Sequence, residues 1–173
     1  MVEKFKKLIM FAMIYFIYSN ISYASNNYYP EYVDSYKFSG KWYEIARTSN
    51  SFQKNCKNSF VEYVYDINVY NIKNICRSIK DNSIIDYHGV GRSANDNESN
   101  FSKIKITYFY VFSKEYQVVF NDNYKIAVIS DDTFNSVWIM SRNEKIEQNK
   151  LNDILKFLEK HIDIDKLIFE NRG

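Results

Sequence analysis

Few residues of this sequence have the types and spacing that covalent or metal chemistry requires. The two cysteines are too few for a zinc site, and the two histidines, His88 and His161, have no ligand-like spacing with them. No Gly-x-Ser-x-Gly nucleophile motif, phosphate-binding loop or cluster of metal-ligating residues occurs. Glu44, if it faces the interior, is a single carboxylate with no partner acid or base. The sequence therefore predicts no catalytic residues, no metal and no cofactor.

The cysteines, Cys56 and Cys76, fit a disulfide between two neighbouring strands. Asp66 lies midway between them, where a turn is expected between the second and third strands. An antiparallel hairpin folded there places the two cysteines opposite one another, close enough to bridge. An even cysteine count in an exported domain favours the bond. A free, reactive thiol is the alternative.

The first 24 residues differ from the rest and resemble a secretory signal peptide. Three lysines precede an apolar run of 11 residues, and a small-x-small sequence ends at Ala24. This run spans about half of the hydrocarbon core of a bilayer, so cleavage after Ala24 is favoured over an uncleaved anchor. Export to the periplasm or to the medium follows. The residue immediately after Ala24 is not a cysteine, so acylation as a lipoprotein is not supported, and loose association with a membrane stays open.

The balance of charge excludes one class of partner. The leader holds three of the 23 Lys and Arg residues and one of the 21 Asp and Glu residues, which leaves residues 25–173 with 20 of each. Nucleic acid binding draws most of its affinity from many Lys and Arg contacts to phosphates. The neutral mature chain therefore gives no electrostatic case for a nucleic acid partner.

The mature chain, residues 25–173, is predicted to be a single all-β domain with one helix. After an irregular arm (25–37), eight runs rich in β-branched and aromatic residues are separated by polar clusters, which predicts an antiparallel sandwich or barrel over 38–142. Apolar residues at helical spacing predict one helix over 146–162. A short strand in KLIFE follows. The eight runs are KWYEIAR, NSFVEYVYD, VYNIKNICRS, SIIDYHGVGRS, FSKIKITYFYVF, YQVVFN, YKIAVISD and NSVWIMSR.

Two motifs resemble the lipocalin family, most closely its bacterial and apolipoprotein D-like branch. The first is Gly40-x-Trp42 followed by YEIAR, and the second is VWIMSR ending at Arg142, with the helix and KLIFE after it. A third family motif is present only loosely, as NDNY at 121–124. The resemblance implies an eight-stranded up-and-down barrel that holds one small ligand. It also implies that Trp42 closes one end of the barrel under Arg142, as a structural pair.

Strand alternation, anchored on the inward direction that the resemblance implies for Arg142, predicts which residues line the barrel. The interpretation that these side chains instead pack as ordinary core, or against the helix outside the barrel, stays open. Phe120 is expected on the same face as Val118. The resemblance adds Tyr63, at a position where related barrels place a lining tyrosine. The predicted ligand-binding residues are thus Tyr63, Ile106, Tyr108, Tyr116, Val118, Trp138 and Met140.

These features predict a binding protein for a small hydrophobic or amphiphilic molecule, such as a fatty acid or a lysophospholipid. Tyrosines at lining positions give an apolar wall with hydroxyl groups, which suits an amphiphile. The alternatives are a binding module for haem, a siderophore or a partner protein and, less favoured, a lipocalin-type enzyme. A siderophore pocket needs several inward cations. The candidates are Lys73 and Lys105, and Lys105 alternates outward.

Overall fold

The computed structural model describes residues 28–170. The predicted signal peptide, residues 1–24, lies outside the described residues, as do the first residues of the predicted arm. The described elements, in chain order, are α1 (Ser35–Phe38), β1 (Gly40–Arg47), β2 (Cys56–Asp66), β3 (Val69–Ser78), β4 (Ile84–Ser93), β5 (Lys103–Tyr108), β6 (Phe112–Asp122), β7 (Ile126–Ser130), β8 (Val137–Ser141), α2 (Gln148–Leu158), a 3-10 turn (Ile164–Lys166) and β9 (Ile168–Phe169).

Strands β1 to β8 form a closed antiparallel barrel. Each strand pairs with its neighbour in the chain, and β1 pairs with both β2 and β8, which removes the free edges of the sheet. Strand β9 adds to the end of β1, where Ala46 lies opposite Phe169. The predicted all-β barrel with one following helix and a short last strand is therefore confirmed.

The apolar residues of the strands form two separate cores because alternate side chains point to opposite faces. The interior core fills the closed end of the barrel and includes Trp42, Phe38 and Phe101. The second core lies between the outer wall and helix α2 and includes Val128 and Ile139.

Helix α2 covers the outside of the barrel with the predicted apolar stripe. Ile154 and Leu158 are fully buried, and Leu151 and Leu155 pack beside them. The helix is shorter than the predicted 146–162, because the backbone leaves helical geometry before Gln148 and changes to tighter turn bonds after Leu158.

The predicted irregular arm contains one helical turn at its end. The side chain of Asp34 accepts a hydrogen bond from the backbone N–H of Lys37 (2.9 Å) and caps α1. A four-residue helix is too short to show a periodic pattern, which is why the sequence did not predict it. Helix α1 places Phe38 inside the closed end of the barrel.

The prediction of one continuous strand over FSKIKITYFYVF (101–112) is wrong, because the chain reverses direction within this run. Phe109 and Tyr110 both have positive φ angles (52° and 63°), and Tyr108 pairs with Phe112 across the turn. Positions with positive φ in such a turn are usually glycine or asparagine, and here they are Phe109 and Tyr110. The run therefore belongs to the end of β5, the turn and the start of β6.

Cys56 and Cys76 form the predicted disulfide, with their Cα atoms 5.4 Å apart. The details differ from the expected hairpin. The turn is at Ile67 and Asn68, and an irregularity in β2 places Cys56 opposite Ser78, so the bond runs diagonally to the cysteine two residues away on β3.

Candidate functional site

One end of the barrel is closed by an aromatic and cationic stack. The indole of Trp42 is fully buried, with the ring of Phe38 on one side (4.7 Å between centroids). The guanidinium carbon of Arg142 lies 3.9 Å from the centroid of the indole. Gly40 has a φ angle of 102°, and a Cβ atom there would lie 3.1 Å from Arg142 Nη1. The glycine of the Gly-x-Trp motif is therefore required by both its backbone conformation and the approach of Arg142.

Arg142 also connects the end of the barrel to its beginning. Its Nε donates to the carbonyl of Tyr124 (3.1 Å), and its terminal nitrogens donate to residues from the end of α1 to the start of β1. Those acceptors are the carbonyl oxygens of Lys37 (2.9 Å), Phe38 (3.1 Å), Ser39 (2.8 Å) and Lys41 (2.8 Å). The Tyr124 hydroxyl accepts from the N–H of Asp34 (3.1 Å), so the loosely matched NDNY segment belongs to the same closure.

Above this closed end the barrel holds a cavity of about 560 Å³, a size typical of small-molecule sites. It extends toward the loops at the opposite end, which contribute part of its lining. The apolar and aromatic lining residues are Phe52, Phe60, Val61, Tyr63, Tyr87, Ile106, Tyr108, Val111, Phe112, Tyr116, Ile129, Trp138 and Met140. The polar ones are Glu44, Asn50, Ser51, Gln53, Asn74, Ser113, Lys114 and Ser136.

Most of the residues predicted to contact ligand lie around this cavity, and Val118 does not. The residues of the predicted set that line it are Tyr63, Ile106, Tyr108, Tyr116, Trp138 and Met140. Val118 is 2% exposed and packs in the interior core without lining the cavity.

The prediction that Phe120 shares the face of Val118 is wrong. The register of β6 against β7 shifts between these two residues, so Val119 occupies an extra position. Such a bulge reverses the alternation beyond it. Phe120 consequently points outward and packs in the core beneath helix α2.

The hydroxyl groups that line the cavity include those of Tyr63, Tyr108 and Tyr116. Asn74 Nδ2 donates to the hydroxyl oxygen of Tyr108 (2.9 Å). Burial raises the pKa of Tyr63 well above its usual value, and it raises that of Tyr116 to about 12. The phenols are therefore protonated, and they present O–H donors to the cavity. Asn74 was not predicted as a lining residue. Its position two residues after Ile72 and four after Tyr70 on β3 places it on the same face as they are, and this pattern could have predicted it.

A charged network adjoins the cavity and was not predicted. Arg47 Nη1 donates to Glu44 Oε1 (2.6 Å) and to Glu170 Oε1 (2.7 Å), so two buried carboxylates share one guanidinium. Gln53 Nε2 donates to Glu44 Oε2 (2.6 Å), and Trp138 Nε1 donates to Gln53 Oε1 (2.9 Å). The network holds the loop between β1 and β2 against the cavity wall and fixes the orientation of the Trp138 ring.

A second bulge explains why Arg47 was missed. The pairing of β1 with β8 shifts at Ile45, so Glu44 lies opposite Met140 and Arg47 lies opposite Trp138. Strict alternation turns Arg47 outward, and the extra residue returns it to the inner face. The inward direction of Glu44 agrees with the sequence, but its partners come from the bulge and from β9.

Stability is expected to fall as the pH rises through the raised pKa of Glu44. Burial raises this pKa above the ordinary carboxyl value, and it outweighs the lowering by Arg47. The folded protein thus holds the proton more tightly than the unfolded chain. This contribution is complete below the ordinary carboxyl pKa and is lost above the raised one. Glu44→Gln should flatten the decline, as measured by denaturant unfolding between about pH 4 and pH 8. Glu115→Gln, at an exposed glutamate of β6, is the control, and parallel curves for Glu44→Gln and wild type would contradict the expectation.

The loop at 48–55 forms part of the open end. The ring of Phe52 lies 6.2 Å from that of Tyr108 and 6.4 Å from that of Tyr87, over the cavity. Across the opening, Lys114 Nζ donates to Asp131 Oδ2 (2.6 Å). The opening is thus bordered by aromatic rings on one side and by a paired cation on the other.

A metal site and a siderophore pocket would each need a particular set of side chains, metal ligands for the first and cavity-facing lysines for the second. No group of three or more His, Cys, Asp or Glu side chains within residues 28–170 could hold a metal ion. Lys73 pairs with Asp86 at the surface, and Lys105 is exposed, so neither lines the cavity. Among the described helices, none is long and apolar enough to cross a bilayer.

Comparisons with known proteins agree with this geometry. The model of the Lipocalin-like domain matches residues 33–172. A lipocalin of Acanthamoeba polyphaga mimivirus is 30% identical over 142 residues, which cover 79% of this chain and 83% of that protein. The outer membrane lipoprotein Blc of Vibrio cholerae is 28% identical over 134 residues, 75% of this chain and 77% of that protein.

Solved structures share the fold. Insecticyanin of the tobacco hornworm Manduca sexta superposes with a TM-score of 0.67 at 22% identity, covering 82% of each chain. Apocrustacyanin C1 superposes with a TM-score of 0.63 at 19% identity, covering 79% of this chain and 78% of that one. With the family match over most of the chain, and with Trp42 and Arg142 stacked at the closed end of the barrel, the chain belongs to the lipocalin family.

Proposed function

We propose that this lipocalin binds a small amphiphile with an acyl chain, such as a fatty acid or a lysophospholipid, and carries or stores it. The observation that supports this most directly is the aromatic-rich cavity of about 560 Å³ above the Trp42–Arg142 closure. Binding is passive, because the barrel removes the acyl chain of the ligand from water. The open end of the barrel leaves room for the polar head group of the ligand.

The energetics fit a carrier that must also release its ligand. Burying about ten methylene groups gains roughly 8 kcal/mol at about 0.8 kcal/mol each. Association and ordering consume part of this gain, so the expected dissociation constant is on the order of micromolar. Contacts from Tyr63, Ile106, Tyr108, Tyr116, Trp138 and Met140 belong to the proposal, since these side chains line the cavity.

The direct test is mass spectrometry of molecules extracted from the natively purified protein, followed by titration with a fluorescent fatty acid. Recovery of acyl amphiphiles and saturable binding are expected. An empty barrel that also fails to bind the fluorescent probe would overturn the proposal. Recovery of haem in place of an acyl amphiphile would favour the alternative of a haem-binding protein.

Filling the cavity should abolish binding without unfolding the barrel. Ile106→Trp places an indole in the space that an acyl chain needs, so we expect the dissociation constant of the fluorescent fatty acid to rise about tenfold or more. The matched control is Lys105→Trp, the same residue placed on the outer face of β5. Equal affinity in the two variants, with both folded by circular dichroism, would count against binding inside the barrel.

We infer that the protein acts after export, with residues 1–24 removed. The disulfide supports this, because such bonds persist in oxidising compartments. The similarity to an outer membrane lipoprotein supports it as well. N-terminal sequencing of the secreted or periplasmic protein should find Ser25 first, and a chain that retains Met1 in the cytoplasm would contradict the inference.

A further inference from the structure

The charged side chains that line the cavity are already paired. Lys114 Nζ contacts Asp131 Oδ2 (2.6 Å) and Ser136 Oγ (3.0 Å), and Glu44 is bonded to Arg47 and Gln53. Lys114 is the one cation among the described lining residues. A ligand carboxylate inside the cavity would therefore meet no unpaired positive charge and would share the space with Glu44.

The tyrosine hydroxyls, by contrast, have donor capacity that the described residues do not use. Tyr63 is only 5% exposed and lines the cavity, and its hydroxyl has no hydrogen-bond partner within residues 28–170. The hydroxyl of Tyr116 likewise lacks a partner in this part of the chain. The hydroxyl of Tyr108 accepts from Asn74, so its own proton is free to be donated. A hydroxyl donor that faces a cavity can be satisfied by water or by an acceptor on a ligand.

These three tyrosines line the same cavity. Burial, and then the proximity of Tyr108 and Tyr116, raises the pKa of Tyr63. A backbone feature positions Tyr108: a Cβ atom on Gly89 would lie 2.7 Å from Tyr108 Cε1, so only glycine lets the ring lie across β4. The ring is then oriented so that its hydroxyl reaches Asn74 on β3.

We propose that the hydroxyls of Tyr63, Tyr108 and Tyr116 form a donor site that binds an uncharged carbonyl oxygen of the ligand. This inference rests on the proposed function and narrows it: a fatty-acid ester is preferred over the free acid. Neutral phenols satisfy a neutral carbonyl well, whereas a buried carboxylate needs a cation to offset its loss of hydration.

The test compares three ligands of equal chain length, namely methyl laurate, laurate and dodecane, as competitors of the fluorescent probe N-phenyl-1-naphthylamine. The wild-type protein is expected to bind methyl laurate about tenfold more tightly than laurate at neutral pH. Tyr63→Phe and Tyr116→Phe should each weaken methyl laurate binding about threefold to tenfold, the usual effect of one hydrogen bond, and leave dodecane unchanged. Tyr110→Phe, at a 98% exposed turn, is the control and should change nothing.

A second readout reports on the hydrogen bonds themselves. Methyl laurate labelled with carbon-13 at the carbonyl should show a lowered carbonyl stretching frequency when bound. Each phenylalanine variant that folds should return the band toward its position in hydrocarbon solvent.

The outcomes separate the two proposals. Equal affinity for laurate and methyl laurate, or phenylalanine variants that keep both affinity and band position, would overturn the donor site while leaving a lipid carrier. If neither the probe nor any of the three ligands binds, the proposed function fails and the donor site fails with it.

Discussion

Replacing Arg142 with alanine is expected to lower the free energy of unfolding by about 4 kcal/mol. The guanidinium donates to the carbonyls of five residues and covers the indole of Trp42. Truncation removes the cation–π contact and takes one donor from each of these carbonyls, although the carbonyl of Phe38 still accepts from Trp42 Nε1 (2.8 Å). Denaturant unfolding followed by circular dichroism measures the loss.

Two further variants show whether the geometry of Arg142 matters or only its charge. Arg142→Lys keeps the charge, but its compact ammonium cannot reach carbonyls on both sides of the ring, so we expect it to recover less than half of the loss. Arg92→Ala, at an exposed position on β4, should change stability by less than about 0.5 kcal/mol. A loss for Arg142→Ala as small as that of Arg92→Ala would refute the role of Arg142 at the closed end.

Removing the disulfide is expected to cost about 3 kcal/mol. The bond closes a segment with a sequence separation of 20 residues between β2 and β3, and the chain-entropy model gives this value for a loop of that length. The double variant Cys56→Ser, Cys76→Ser avoids an unpaired thiol. Unfolding of the variant and of the wild type with and without a reductant measures the difference.

The reductant provides the internal control for this experiment. Reduced wild type and oxidised or reduced double variant should have the same stability, since all three lack the crosslink. A double variant that responds to the reductant, or a wild type that does not, would show that the bond does not stabilise the barrel.

The sequence predicts well those parts of the fold that follow a regular side-chain pattern or a known motif. Eight β-rich runs, the apolar stripe of α2 and the Gly-x-Trp motif each reflect a regular physical requirement, namely a buried face or a glycine-only backbone. Trp42 and Arg142 could be paired in advance only through the resemblance to a family. Their separation of 100 residues gives no local signal.

The errors come from single residues that interrupt this regularity. The bulges at Ile45 and Val119 carry no residue type that announces them, yet each reverses the inward and outward faces of the strand beyond it. Arg47 was missed and Phe120 was misplaced for that reason. The turn at Phe109 and Tyr110 is similar, because two aromatic residues take a conformation that glycine or asparagine normally supplies.

The pairing of β1 with β8 has a consequence for biogenesis. Tyr43 lies opposite Ser141, so the strand made first on the ribosome waits for almost the whole barrel before it gains its second neighbour. Until then the growing sheet has two unprotected edges, and contacts of such long sequence separation form slowly. Until β8 has been made, the nascent chain is therefore more exposed to wrong edge-to-edge pairing than the finished barrel is.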